Sequence, residues 1–238
     1  EQAQHQLGGG RGHGRSRSWG WSLILAQAAP CRRQVSGYLP AMTPRKSTVV
    51  RRAEIADAAL HIVATRGIAA LSTQALADAV GLTTGALFKH FASREAILIG
   101  LAERVVELLA ATYPDSTLPP LERLTKLAAA RLSLVADSAG VLTLVMSEQL
   151  ALALPNDAAC LLRDAVGDTR RFAARAILDG QTDGSIRADV PADGLALLFL
   201  GAVQITALTR RTGAAPGADH ALTTLHLLIQ PTKPQESL

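Results

Sequence analysis

The chain has 238 residues, of which 48% are hydrophobic and 18% charged, and its net charge is +4. That hydrophobic share is ample for a sizeable core in one domain or two. Aromatics make up only 3%, so the core has to be built from Leu, Ala, Val and Ile, and no stretch alternates as a half-buried strand does, which excludes a strand-built fold and leaves all-α.

The total charge hides a gradient. Residues 1–50 carry seven Lys/Arg against one acid, residues 51–94 five against three, and residues 95–238 twelve against sixteen. Phosphate steering needs positive charge on one face only, so the gradient places any nucleic acid at the N-terminal side. The alternative for the first segment is a basic tail that only aids solubility. Cys31 and Cys160 lie far apart and fit neither metal-ligand spacing nor a disulfide framework, which makes a reducing cytoplasm the simplest compartment.

Residues 1–46 read as a disordered basic extension, rich in Gly, Arg, Ser and Gln and without periodicity. Trp19 to Ala29 has the outline of a signal peptide, but the run is too short to span a bilayer. Met42, followed by basic TPRKSTVVRR, is the expected functional start, and a basic arm that adds phosphate contacts is the other use of such a tail. Ordered structure is expected from about Arg51, with Ile55, Ala58, Ala59, Ile62 and Val63 at helical spacing and Gly67 as the stop.

The stretch Leu71 to Phe91 reads as two short helices around a tight turn. Ser72 caps the first, whose Ala75, Leu76 and Ala79 share a face, and Gly81 ends it. Leu82 turns inward, and Thr83 caps the second, with Ala86, Leu87, His90 and Phe91 on one side. This is the layout of a helix-turn-helix DNA reader, although αα-hairpins with a glycine turn also occur in purely structural proteins. Ser93 then caps a long helix with Ile97, Leu98, Leu101, Val105, Leu108 and Leu109 on its buried side, ending at Tyr113-Pro114.

In such a reader the second helix enters the major groove. Thr83 and Thr84 offer hydroxyls and free N–H groups to a phosphate, Gly85 lets the backbone approach the bases, and the Ala86 methyl can meet a thymine methyl. Lys89, His90 and Arg94 are assigned to phosphates, which position the protein without specifying sequence. For each the bland reading is a solvated surface residue, or for His90 a packed ring.

The run GLTTGALFKHFASREAIL resembles the signature of TetR-family transcriptional regulators through Gly81, Leu82, Thr83, Gly85, Phe88, His90, Phe91 and Arg94. The family usually has Tyr at Phe88, so one phosphate-bonding hydroxyl is missing here. The resemblance is specific over residues 51–98 and architectural beyond. It implies a helix-turn-helix domain over residues 47–94, with Thr73 and Gln74 also facing DNA. The Gln74 amide, able to pair with adenine through two bonds, is the expected directional contact.

After Pro120 come apolar helices between ordinary breakers. They are Leu121–Val135, a nearly all-apolar VLTLVMSEQLALAL after Gly140, a long helix from Pro155-Asn156-Asp157 to Gly180, Gly194–Arg211, and a last one carrying Leu222, Leu225, Leu228 and Ile229. By the resemblance, residues 95–232 form a helical ligand-binding and dimerisation domain, ahead of a short tail, 233–238. The final two long helices would pair with a second copy through Leu195, Leu198, Phe199, Ala202, Ile205 and Thr209, with Leu222, Leu225 and Ile229. Two heads about 34 Å apart would then read an inverted-repeat operator in double-stranded DNA. Leu144, Met146, Glu148, Phe172 and Gln204 are expected to line a pocket for an unknown small-molecule effector, although an apolar helix with a Met is more often plain core.

No motif for catalysis, cofactor or metal is evident: GGGRGHG is low complexity, and His61, His220 and His226 are isolated. The expected function is a cytoplasmic, homodimeric, ligand-released DNA-binding repressor, neither an enzyme nor a membrane protein. The rivals are a ligand-independent DNA-binding protein of the same type and a helical small-molecule carrier or interaction protein with a vestigial head.

Overall fold

The computed structural model describes residues 46–147, 152–212 and 218–231. The expectations for residues 1–45 and the tail, for Glu148 and for the Leu222 side chain lie outside them. The described residues form helices and no strand. In order these are α1 (Lys46–Arg66), a 3-10 turn (Ile68–Ala70), α2 (Thr73–Ala79), α3 (Thr84–Leu87), α4 (Arg94–Ala110), α5 (Pro120–Asp137), α6 (Ala139–Met146), α7 (Asn156–Asp183), α8 (Ala192–Thr212) and α9 (Ala218–Ile229).

Local signals set the N-terminal boundaries. Ser72, Thr83 and Ser93 sit in extended backbone, and each side-chain oxygen accepts from the backbone N–H three residues on, at 3.0, 3.1 and 3.0 Å. Gly81 takes the left-handed conformation at φ 65°, so the chain turns between α2 and α3 without the strain a Cβ would bring. Two details differ from the sequence reading: α1 begins at Lys46, five residues early, and α2 buries Leu76 and Ala77 while Ala79 is exposed.

Further along, α7 runs past Gly180 and is closed by Gly184 at φ 80°. Gly180 has a different task. A Cβ there would stand 2.6 Å from Ile186 Cδ1 and 3.1 Å from Pro120 Cβ, so the missing side chain is what lets Ile186 fold back against the helix.

Two apolar cores organise the chain. The first joins Ile55, Leu60 and Ile62 of α1, Leu76 and Leu87, and the buried face of α4 to Val141 and Leu144 of α6 and to Ala158 and Leu162 of α7. The second joins Leu124, Leu127 and Leu132 of α5 to Ile177 of α7, Phe199 and Val203 of α8 and Ile229 of α9. The first core runs without a break across residue 94. α6 comes close to α1 at Gly140, where a Cβ would lie 2.3 Å from the Leu60 carbonyl oxygen. Arg104 of α4 adds a fork to Asp57 of α1, Nε–Oδ1 2.8 Å and Nη2–Oδ2 3.2 Å.

Candidate DNA interface and internal cavity

The α2–turn–α3 segment presents one side to solvent and packs the other. Leu87 and Phe91 are buried beneath α3, while Thr83, Gly85, Lys89 and Arg94 are exposed and Thr84, Ala86 and His90 are half-buried. The regular part of α3 is a single turn. Tighter bonds then carry the chain on, Lys89 N–H to Ala86 O at 3.2 Å and His90 N–H to Leu87 O at 2.9 Å. The Thr83 hydroxyl spends an acceptor site on its cap and keeps its proton for another partner. No described atom lies within 4 Å of where a Gly85 Cβ would stand, so nothing in the chain's own packing requires glycine there.

The head's own carboxylates are engaged elsewhere, Glu54 with Arg51 at 2.8 Å, Asp57 with Arg104 and Asp78 with Gln74, and Glu103 of α4 lies 3.9 Å from Arg52. Arg52 also lies over the Phe91 ring, 4.7 Å from its centroid. Lys89 and Arg94 enter none of these pairs. Arg94 shares a small hollow with Ser72 and Thr73, which brings a cation to the start of α2. Gln74 is exposed, with its amide nitrogen donating to Asp78 Oδ1 at 2.8 Å, so the side chain is held along the helix. His90 Nδ1 is buried without a hydrogen-bond partner, so that ring is seated in the head. Phe88 is 43% exposed, an apolar ring where the family usually places a hydroxyl.

At the seam between the two cores is a cavity of about 90 Å³. Leu109 of α4, Leu134 and Val135 of α5, Val141 and Val145 of α6, Val166 of α7 and Val203 of α8 form its apolar wall, and Arg131, Thr169 and Gln204 its polar part. Of the expected pocket residues Met146 and Gln204 line it. Leu144 belongs to the first core, and Phe172 packs by the second, its ring 5.1 Å from that of Tyr113. Arg131 and Thr169 were missed. Their signal was present, since Arg131 falls four residues after Leu127 and four before Val135, on the apolar face of α5.

The expected interface residues of α8 and α9 divide. Leu195, Phe199 and Ile229 are buried in the chain's own core, and Ala202 and Leu225 are half-buried. Leu198 and Ile205 are 64% and 55% exposed, and with Leu197, Gly201 and Leu208 they form one open face of α8, while α9 exposes Leu227 and Leu228. Among the described residues no group of His, Cys, Asp and Glu is placed to hold a metal ion.

Residues 55–101 match the family model described as bacterial regulatory proteins, tetR family. The transcriptional repressor KstR2 of Mycobacterium tuberculosis is 39% identical over 77 residues, which span 31% of this chain and 38% of that protein, little more than a third of its length. KstR2 of Rhodococcus jostii is 27% identical over 152 residues, 63% of this chain and 74% of its own. Among solved structures, M. tuberculosis KstR2 superposes with a TM-score of 0.64 at 25% identity, over 76% of this chain and 95% of that one. AibR in complex with isovaleryl coenzyme A and operator DNA has the same TM-score at 20% identity, over 77% of this chain and all of that one, and shares the fold. The helix-turn-helix head over residues 55–101 is thus that of the tetR family of bacterial regulatory proteins, set within an all-helical fold that the chain shares with these regulators.

Proposed function

We propose that the protein is a cytoplasmic transcriptional repressor that binds an inverted-repeat operator as a homodimer and is released by a small molecule held in the cavity. The observation that carries this reading is the two-sided head. Leu87 and Phe91 anchor the segment from below, so Thr83, Gly85, Lys89 and Arg94 stay on an exposed side, where the Lys89 and Arg94 charges meet no ion-pair partner among the described residues. In this reading Lys89 and Arg94 neutralise phosphates, Thr73 and Thr83 donate to them, and Gln74, steadied by Asp78, reads a base edge.

Dimerisation through α8 and α9 is supported by the open face of α8. By length and composition Ala192–Arg210 is apolar enough to cross a bilayer, yet one side of it is spent on the second core. The other side, Leu197, Leu198, Gly201, Ile205 and Leu208, is a contiguous apolar surface that a second copy would cover. Release would run through α6, which supplies cavity wall through Val141 and Val145 and touches the α1 backbone at Gly140. A ligand that shifts α6 then biases the head, provided that ligand and DNA favour different arrangements.

The test is salt-dependent binding of the Met42-start protein to the DNA upstream of its own gene, beside a Lys89→Ala, Arg94→Ala double variant. Concentration on one inverted repeat is expected, and each lost phosphate contact should lower the slope of log K against log salt by about one. An intact protein that binds no DNA above non-specific levels at moderate salt would sink the reading.

A further inference from the structure

Two arginines on α5 have opposite surroundings. Arg123 is buried and meets Asp179 at 2.9 Å. Arg131, two turns on, has no carboxylate within ion-pair distance among the described residues, and its Nε is buried without a partner. Its neighbours are Thr169 and Tyr113. Nη2 donates to Thr169 Oγ1 at 2.9 Å, and the guanidinium lies 5.5 Å from the Tyr113 ring centroid.

The protons around Thr169 can be assigned. Its hydroxyl donates to the Ala165 carbonyl at 2.9 Å, which uses its only proton. The Tyr113 hydroxyl, 2.9 Å from the same oxygen, must therefore donate to it, as Arg131 does. One neutral oxygen thus serves two donors, and the cluster holds more N–H than acceptors. Burial pushes the Arg131 guanidinium below its ordinary value, with Tyr113 opposing. The cation is held at a cost that an anion alongside would offset.

We propose that Arg131 receives the carboxylate of a short aliphatic monocarboxylic acid, whose hydrocarbon tail lies against Val135, Val141, Val145 and Val203. This deepens the effector reading and rests on it. The seam supplies both halves of such a ligand's needs: a cation with a free donor and a wall of Val and Leu side chains without aromatic stacking surface. An engineered cavity of about 150 Å³ takes the six carbons of benzene, so the 90 Å³ here fits a hydrocarbon tail of about four carbons. A carboxylate takes two N–H groups of a guanidinium side by side, and such charge-assisted bonds are about twice as strong as neutral ones.

The test is calorimetric titration of the full chain with pentanoate, its neutral isostere pentanamide, and pentanoyl coenzyme A, on wild type, Arg131→Gln and Arg131→Met. Pentanoate should bind at least about tenfold more tightly than pentanamide, and Arg131→Gln should erase the difference. Without ligand, Arg131→Met should melt at or above the wild-type temperature, because it replaces an unpaired buried charge by an apolar side chain. Equal affinity for acid and amide, no pentanoate binding at millimolar concentration, thioester binding without acid binding, or a marked loss of stability in Arg131→Met would each overturn the proposal. A gel-shift arm separates this from the regulator reading. A protein that ignores its upstream DNA but binds pentanoate through Arg131 keeps the site and loses the regulator. One that is released from DNA only by a neutral compound keeps the regulator and loses the site.

Discussion

The two cores are built from the same residue types and end differently. The first, running from α1 through α4 to α6 and the start of α7, is closed within one chain. Gly140 sets its backbone against that of Leu60, and the Arg104–Asp57 fork clamps the edge. The second, from α5 and α7 to α8 and α9, is finished on one side only, with Leu198 and Ile205 left facing out from the same helix that buries Phe199 and Val203. A closed core gives little room for displacement because its backbone cannot give way; the open one leaves an apolar face to solvent, which under the proposed function a second copy covers. The cavity lies between the two and touches both.

The largest expected effect comes from closing that open face with charge. Leu198→Asp with Ile205→Asp should raise the dimer dissociation constant by about a hundredfold or more, since a buried charge costs several kcal/mol, while far-ultraviolet circular dichroism stays helical. Sedimentation equilibrium checks it, and an unaltered dimer would place the interface elsewhere. Next in size is Gly140→Ala. Its new Cβ meets backbone rather than a movable side chain, so a loss of about 2–3 kcal/mol is expected, read as a fall in Tm of about 4–12 °C. Gly201→Ala makes the same chemical change in open space; it should leave the monomer as stable or slightly more so by helix propensity. Equal destabilisation at both glycines would erase the distinction between the cores.

A smaller effect, about 1 kcal/mol, is expected for Ser93→Ala, which removes the cap of α4 at the junction with the head. Denaturant unfolding measures it, and Ser93→Asp should restore most of the loss.

The smallest concerns acid. The Arg187 guanidinium holds the Asp189 carboxyl below its ordinary value, and bonds from Ser185 and Thr117 do the same for Asp183 and Asp115. A carboxyl lowered in the folded state contributes stability that is complete above its unfolded value near 4 and is lost as pH falls through the folded value. Arg187, the partner of Asp189, also joins its own N–H to the Ile229 carbonyl at the end of α9, at 2.9 Å. Below about pH 4, hydrogen exchange should therefore quicken in α9 before it does in α1 and α4. The reverse order would contradict the assignment.

The head was legible residue by residue because what shapes it is local. A Ser or Thr side chain reaches an N–H three residues on, and a glycine adopts a positive φ, whatever the rest of the chain does; Ser72, Gly81, Thr83 and Ser93 therefore behave as their spacing indicates. Helical periodicity likewise gave the buried faces of α4 and α5, whose apolar residues recur on one side of the helix. It was mute where a helix is apolar nearly all round. Along α8, Leu195 and Leu198 look alike in the sequence, and only the position of α5, α7 and α9 decides that one is core and the other surface. The same holds for Gly180, a stop signal by its neighbours but an interior position by the return of Ile186. It holds too for Arg131, one basic residue among many until folding buries it at the seam without a carboxylate among its described neighbours. Caps and turns depend on a few consecutive residues, and this sequence determined them by itself; which apolar face is covered, and which charge is left unpaired, depends on segments distant along the chain, and only the tertiary structure decided it.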